Sequence, residues 1–289
     1  MAPAVTGLAL GDEYGCALDT GEAVVCWGSP KIDKGQTMPP SRKFKHLRGY
    51  KNSNCAFDSG NTFECWGEVF GYAKGSKAID IGLGERHRCL LLADATVTCV
   101  GDPGAAEALP PDGAFLSVAA GSGLSCAIRE NHTLVCWGSD VFHGLDVPSG
   151  SFSRVSVGGG HQCAIRMGDD SVACWGAGVA TDPNGMDPEG RYFGQAIPPT
   201  GSFGDICAGY RHSCGVRTDG TLACWGLGTK IGDCVNAGEC GQAAPPGGKF
   251  VEVDCGLSHT CGIKEDGTVA CWGSNNADRS TPPADLKIF

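Results

Sequence analysis

The sequence predicts an all-β fold, a seven-bladed β-propeller with one cross-strand disulfide per blade, on three observations. Seven segments align along the chain: Cys16–Gly28, Cys55–Gly67, Cys89–Gly101, Cys126–Gly138, Cys163–Gly176, Cys214–Gly226 and Cys261–Gly273. Six end in Cys-Trp-Gly and hold all 6 tryptophans, while the third ends in Cys99-Val100-Gly101. Glycine supplies 46 of the 289 residues with no collagen-like period, as expected of many tight turns between short strands. Of the 18 cysteines, fourteen recur at two fixed places in the repeat. Self-similarity at a period of a few tens of residues marks units that bury their faces on their neighbours.

Each unit reads in the same order. A strand-like stretch, such as Phe115-Leu116-Ser117-Val118, comes first. A glycine follows, five residues before the first cysteine: Gly11, Gly84, Gly121, Gly158, Gly209 and Gly256, displaced by one to Gly49 in the second unit. The first cysteine then opens a hairpin. Between Cys214 and Cys224, a loop at Thr218-Asp219-Gly220 puts glycine in the left-handed third position of a type I turn with a G1 bulge. Val216 then faces Leu222, Gly215 faces Ala223, and Cys214 faces Cys224. Directly opposed residues in a non-hydrogen-bonded pair have Cα atoms ~4.5 Å apart, within the roughly 4.4–6.8 Å that a disulfide accepts. Gly215 and Ala223 leave room on the other face for a neighbouring blade or for Trp225. The seventh unit repeats this loop as Glu265-Asp266-Gly267. The fifth has one extra residue, and the first places Glu22 in the left-handed slot.

The expected organisation is a single domain, 1–289, with insertions at about 177–198 and 227–246. The stretch Leu286-Lys287-Ile288-Phe289 repeats the strand that precedes each blade, and Leu8-Ala9-Leu10 fills the same slot for blade one. Both ends are therefore expected to meet at blade one and remove two open edges.

So many cysteines imply an oxidising compartment, secreted, extracellular or periplasmic. No signal peptide is visible at Met1-Ala2-Pro3-Ala4, so Met1 is read as an added start on a mature chain. The blade pairs are Cys16/Cys26, Cys55/Cys65, Cys89/Cys99, Cys126/Cys136, Cys163/Cys174, Cys214/Cys224 and Cys261/Cys271. Cys207, Cys234, Cys240 and Cys255 lie outside them, and three pairings are open. Cys207 with Cys255 would staple blade six to blade seven, leaving Cys234 with Cys240 in a local loop. Zinc is disfavoured, because its ribbons use short Cys-x-x-Cys knuckles rather than a spacing that spans a hairpin.

The net charge of −10 and the scattered Lys and Arg argue against nucleic acid or an anionic membrane as partner. No stretch approaches ~18 apolar residues, so membrane insertion is not expected.

The pattern Gly-x-x-His-[Ser/Thr]-Cys…Gly-x-x-x-Cys-Trp-Gly, as in Gly209 to Gly226, resembles the repeat of the regulator of chromosome condensation family. The resemblance covers essentially the whole chain and implies a seven-bladed propeller with a central channel, the fold also used by a secreted β-lactamase-inhibitor class and a plant UV-B photoreceptor. Two departures stand out. Cysteine pairs replace the family's small and apolar residues, and the Gly-Gln-Leu-Gly-like tail after Trp-Gly is mostly missing.

Four histidines, His87, His161, His212 and His259, recur two places before a blade cysteine. One residue per blade does not converge on one ion, so each is expected to fix a turn by bonding to backbone. The tryptophans sit in the Cys-Trp-Gly slot and not in the photoreceptor-like one, which makes light sensing a poor reading. The insertion offers Asp182, Asn184, Asp187 and Glu189 as oxygen ligands for calcium, although it matches no EF-hand. No other cofactor is expected. No nucleophile elbow, phosphate loop, dinucleotide fingerprint or zinc-protease motif is present.

The leading expectation is a protein-binding scaffold with another protein as partner. One candidate face carries the Gly-to-Cys turns, with Tyr14, Tyr50, Arg86, His87, Tyr210 and Arg211. The opposite face is expected to carry the loops after Trp-Gly, with Phe70, Tyr72, Phe142, His143, Arg191, Tyr192 and Phe193. Aromatic residues and Arg are the usual anchors of interfaces. The alternative is an enzyme or an inhibitor-like modulator with its site at the channel mouth, which a cluster of carboxylates of perturbed pKa would favour.

Overall fold

The computed structural model describes residues 7–31, 33–68, 77–101, 109–140, 142–179, 193–229 and 241–289. Among these are seven three-stranded antiparallel sheets, each formed from three consecutive strands. Each sheet is one blade. The inner strands, Leu8–Leu10, His46–Tyr50, Asp80–Leu83, Phe115–Ala120, Phe152–Val157, Phe203–Ala208 and Phe250–Cys255, line a central channel. The middle and outer strands of each blade form the cysteine hairpin.

The hairpin register is the one that loop geometry dictates. Cys214 faces Cys224, Gly215 faces Ala223 and Val216 faces Leu222. A disulfide closes this position in every blade. The pairs are Cys16–Cys26, Cys55–Cys65, Cys89–Cys99, Cys126–Cys136, Cys163–Cys174, Cys214–Cys224 and Cys261–Cys271, with Cα atoms 4.0–4.1 Å apart. That is slightly closer than the ~4.4 Å lower bound usual for cystines, because the pleat already pinches directly opposed, non-hydrogen-bonded residues together.

The two halves of each bridge differ in burial. The first cysteine, on the middle strand, is fully buried. Its partner, Cys26, Cys65, Cys99, Cys136, Cys174, Cys224 or Cys271, is half-buried, because the outer strand is the edge of its sheet. None of these outer-strand cysteines lines the channel, so they staple the blades and are not part of a binding surface there. The room at Gly215 is taken by Phe203 of the same blade, not by Trp225 or a neighbour; a Cβ there would lie 2.7 Å from the Phe203 ring.

Five of the seven hairpin turns share one device. Asp94, Asn131, Asp169, Asp219 and Asp266 each accept the backbone N–H and the hydroxyl of the Thr or Ser two residues on. These bonds hold the Asp94, Asp169, Asp219 and Asp266 carboxyls below their usual range. Glu22, with φ 68°, occupies the left-handed slot of blade one.

The cores lie between blades. Cys163 and Ile165 of blade five pack on Phe203, Ile206 and Trp225 of blade six. Blade six packs in the same way through Cys214 and Val216 on Phe250, Val253 and Trp272 of blade seven. The ring closes through Cys261 and Ile263 of blade seven against Leu8, Leu10 and Trp27 of blade one, with Leu286 in the same cluster. In the regular blades the opening Phe amide bonds to the turn of the preceding blade, as Phe250 does to the Gly220 carbonyl. At the closure Ile288 takes that role: its N–H bonds to the Gly267 carbonyl, while the Lys287 carbonyl accepts from Thr20. The two chain ends thus share blade one's inner-strand slot.

Candidate functional site

The channel mouth at the ends of the inner strands is built on a ring of glycines. A Cβ on Gly121 would lie 2.3 Å from the Gly158 carbonyl oxygen, and one on Gly158 would lie 2.3 Å from that of Gly209. Neighbouring blades therefore meet backbone to backbone here, and no other residue fits. The amides of Glu85 and Gly159 bond across to the Gly121 and Gly209 carbonyls, at 3.1 Å each. The result is a rigid rim from which the turn side chains project.

The loops after Trp-Gly lie on this same face, which corrects the expectation of two separate binding faces. In a three-stranded antiparallel blade the end of the outer strand returns to the start of the middle strand. Ser139, Ala177, Leu227 and Ser274, each just after Trp-Gly, bond to carbonyls of the Gly-to-Cys turns at Gly123, Gly160, Arg211 and Ser258. The opposite face carries the hairpin turns.

The expected anchors separate into packing and surface. Tyr14 is fully buried and donates its hydroxyl to the Ser53 carbonyl of blade two (3.1 Å). His87 is also buried. Neither can serve as a surface anchor. Tyr50 reaches from blade two past blade three, and its hydroxyl meets that of Ser122 in blade four at 2.9 Å. Tyr210 is 38% exposed and lies over Gly159 of blade five. The Arg211 guanidinium stacks on both Tyr210 (5.2 Å) and Phe193 (5.5 Å). Phe142 packs over Gly160. Phe142, Phe193, Tyr210 and Arg211 therefore gather over blades four to six. Arg86 is exposed beyond this cluster, and His143 is exposed beside Asp146 (3.4 Å). Phe70, Tyr72, Arg191, Tyr192 and the calcium candidates Asp182, Asn184, Asp187 and Glu189 lie outside the described residues, as do Cys234 and Cys240.

Three of the four histidines bridge blades through hydroxyls, where a bond to turn backbone was expected. His161 Nε2 lies 2.7 Å from Ser213 Oγ, His212 Nε2 lies 2.8 Å from Thr260 Oγ1, and His87 Nε2 lies 2.7 Å from Ser125 Oγ. Ser213 and Thr260 in turn donate to the carbonyls of Gln195 and Gln242. Those same carbonyls accept the indole N–H of Trp225 and Trp272. The hydroxyl proton being committed, His161 and His212 donate from Nε2. Burial pushes His161, His212 and His259 down to about 3, so they stay neutral.

The glutamines are residues that the blade motif does not reveal. Gln36, Gln195 and Gln242 are buried, and each receives a Trp indole from the following blade. The signal for them is Gly-Gln-x-x-Pro-Pro, repeated at Gly35–Pro40, Gly194–Pro199 and Gly241–Pro246. The tail of the repeat, expected to be mostly missing, is thus present in these three of the seven units, displaced from Trp-Gly. At the closure Arg279 takes the slot, accepting the Trp27 indole on its carbonyl (2.9 Å).

The channel encloses about 490 Å³. Two ion pairs cross blade junctions on its wall, Arg48 with Asp80 (3.0 Å) and Arg154 with Asp205. Carboxylates also satisfy the inner-strand edges. Asp205 accepts the Val253 N–H, Glu252 accepts the N–H groups of Gly7 and Leu8, and Asp254 accepts that of Leu10. Burial, with the nearby Asp205 charge, raises Glu252 to about 8, and burial raises Asp254 to about 7. Cys207 and Cys255 are joined across blades six and seven, with Cα atoms 5.5 Å apart.

The model of the Regulator of chromosome condensation (RCC1) repeat matches residues 205–230 and 250–278, which are blades six and seven. Among solved structures, the CRINKLY WD40 ectodomain of the Arabidopsis thaliana receptor kinase ACR4 is 23% identical, with 99% of each chain covered and a TM-score of 0.76. The ectodomain of the Physcomitrella patens receptor kinase CR4 is 24% identical over 93% of this chain and 74% of that one, with a TM-score of 0.71. Prp20p from Saccharomyces cerevisiae is 16% identical over 88% and 81%, with a TM-score of 0.66. At these identities the likeness speaks for the fold alone. No curated protein matches the chain in sequence.

Proposed function

From a disulfide-stapled seven-bladed propeller whose sixth and seventh blades are regulator of chromosome condensation repeats, we propose an extracellular scaffold that binds another protein through its glycine-rim face. The observation that carries this reading is the cluster of Phe142, Phe193, Tyr210 and Arg211 on a rim that cannot rearrange. Aromatic rings and a stacked guanidinium on a rigid support lose little entropy on binding, which is how anchors concentrate affinity. Similar propellers serve as receptor-kinase ectodomains, and Prp20p has binding properties toward Gsp1p and histones. The paired cysteines support an oxidising compartment.

The test is capture of partners from the native extracellular milieu. Tyr210→Ala combined with Arg211→Ala is expected to lose the captured partner while the melting temperature stays within a few degrees, the usual range for surface changes. Lys249→Ala on the opposite face is expected to keep it. Equal capture by all three proteins would exclude this face. Catalysis in the channel is the second reading, favoured by Glu252 and Asp254 being held near neutrality. An activity lost in Glu252→Gln but kept in Tyr210→Ala would support it.

A further inference from the structure

The channel is more than the hole left by ring closure. Its volume of about 490 Å³ lies in the range of small-molecule sites. Tyr50 narrows its rim end, where the space beyond shrinks to about 20 Å³. The wall sets half-buried apolar side chains, among them Leu116, Ala119 and Val155, beside a few charged ones.

Those charges do not balance. Arg48 is matched by Asp80 and Arg154 by Asp205, which leaves Glu252 and Asp254 with no cation within ion-pair distance among the described residues. Each oxygen of these two carboxylates accepts one backbone N–H, of Gly7, Leu8, Leu10 or Cys255. A carboxylate oxygen has a second lone pair, so each keeps capacity to accept. Among the described residues no three such side chains converge closely enough to hold a metal ion. A cation that suits this wall must be larger than a metal ion, carry its own donors and have an apolar part.

We propose that the channel is a binding site for an alkylguanidinium or alkylammonium group, its charged head against Glu252 and Asp254 and its aliphatic stem along the apolar wall. The group could arrive on a free small amine or on an arginine side chain of a partner. This site lies apart from the aromatic cluster on the rim, and its test does not depend on that cluster.

The remaining charged groups facing the site are Arg48, Asp80, Arg154 and Asp205 on the wall, with His132 and Asp170 at the hairpin end. With the site empty, burial holds Glu252 and Asp254 largely protonated at pH 6.5. An incoming guanidinium stays charged throughout, so it must displace those protons into solution. Binding at pH 6.5 then releases protons, and binding at pH 9 does not.

Calorimetric titration with agmatine and with an N-acetyl-arginine-amide peptide, in buffers of different ionisation heat, reads this directly. The expected result is binding with proton release at pH 6.5, with no release and tighter binding at pH 9. Glu252→Gln with Asp254→Asn is expected to weaken it by about tenfold or more, the scale of one lost charge interaction. Gly204→Trp keeps both carboxylates and fills the channel from a position where a Cβ meets nothing within 4 Å; it is expected to abolish binding. Agmatine binding alone would assign the site to small amines, and peptide binding to a protein's arginine. Binding by neither probe, binding without proton release at pH 6.5, or equal binding in both variants would overturn the proposal; the measurement on the unaltered protein stands even if a variant fails to fold.

Discussion

The junction between blades six and seven and the junction between blades seven and one face the same packing problem and solve it with different chemistry. At the first, His212 donates to Thr260, Thr260 to the Gln242 carbonyl, and Trp272 to that same carbonyl. The Cys207–Cys255 bridge adds a covalent link. At the second, the slot that Thr260 fills at the first, just before the middle-strand cysteine, holds Gly15, which has no hydroxyl to offer His259. A Cβ on Gly15 would lie 2.4 Å from the Trp27 ring, so none can be placed there. Arg279 replaces the glutamine. Buried at 4% exposure, it donates to the Asp12 carbonyl and Ser258 hydroxyl (2.9 Å each) and pairs with Glu13 (3.6 Å). Glu252 and Asp254 hold the N-terminal strand. A repeat propagates by copying one junction, but the junction that joins the chain ends must be made from residues outside the repeat.

The largest break comes from removing the C-terminal strand. Deleting Leu286–Phe289 exposes the blade-seven core and removes the backbone bonds of Lys287 and Ile288. The expected loss is about 5 kcal/mol, on the order of 10 °C in Tm by calorimetry. An unchanged Tm would mean that the ring does not close through these residues.

The covalent links come next. In the chain-entropy model, replacing Cys207 and Cys255 by Ala opens a loop of 48 residues and costs about 4 kcal/mol, against about 3 kcal/mol for Cys214 with Cys224, separated by 10. Denaturant unfolding should rank them in that order. The reverse order would place native-state strain above loop entropy.

A smaller change tests the hydrogen-bond relay. Thr260→Val leaves His212 Nε2 buried without a partner, at an expected cost of about 1–3 kcal/mol. His259 already lacks a hydroxyl partner, so His259→Gln should cost less than His212→Gln.

The blades were legible because their cysteines, tryptophans and glycines obey strict local geometry. The hairpin register around Cys214 and the Glu22 slot follow from loop length alone. Spacing alone also pairs Cys26, Cys65, Cys136, Cys174 and Cys271 with their middle-strand partners, but it does not say that these five stay half-buried at a sheet edge. The face assignment needed only strand direction: the loop after Trp-Gly must return beside the turn before Cys. Gln195 and Gln242 were hidden because insertions separate Gly-Gln-x-x-Pro-Pro from the Trp-Gly it accompanies in the shorter unit. Tyr14 and His87 show a different limit. A turn residue reads as exposed, yet here the neighbouring blade covers it. Arg279 could be found only by aligning Arg279-Ser280-Thr281-Pro282-Pro283 with the glutamine stretches. The channel carboxylates carry no motif, because their role arises from which blades become neighbours.

The two junctions should also part company with pH. Glu252 and Asp254 are raised in the folded state, so their stabilising contribution is full below the usual carboxylate range and is lost as pH climbs through about 7 and 8. The buried histidines are lowered, so theirs is full above about 6.5 and fades below it. Stability should therefore peak near pH 6.5, and Glu252→Gln should flatten only the alkaline side of a Tm profile.

Amide hydrogen exchange tests the closure most directly. The Leu8 and Leu10 amides bond to Glu252 and Asp254, whereas the Ala208 amide bonds to the neutral Ser156 hydroxyl between blades five and six. After correction for intrinsic rates, protection at Leu8 and Leu10 should fall between pH 6.5 and 8.5 while that at Ala208 holds. Equal change at all three amides would show that the closing junction is no different from the others.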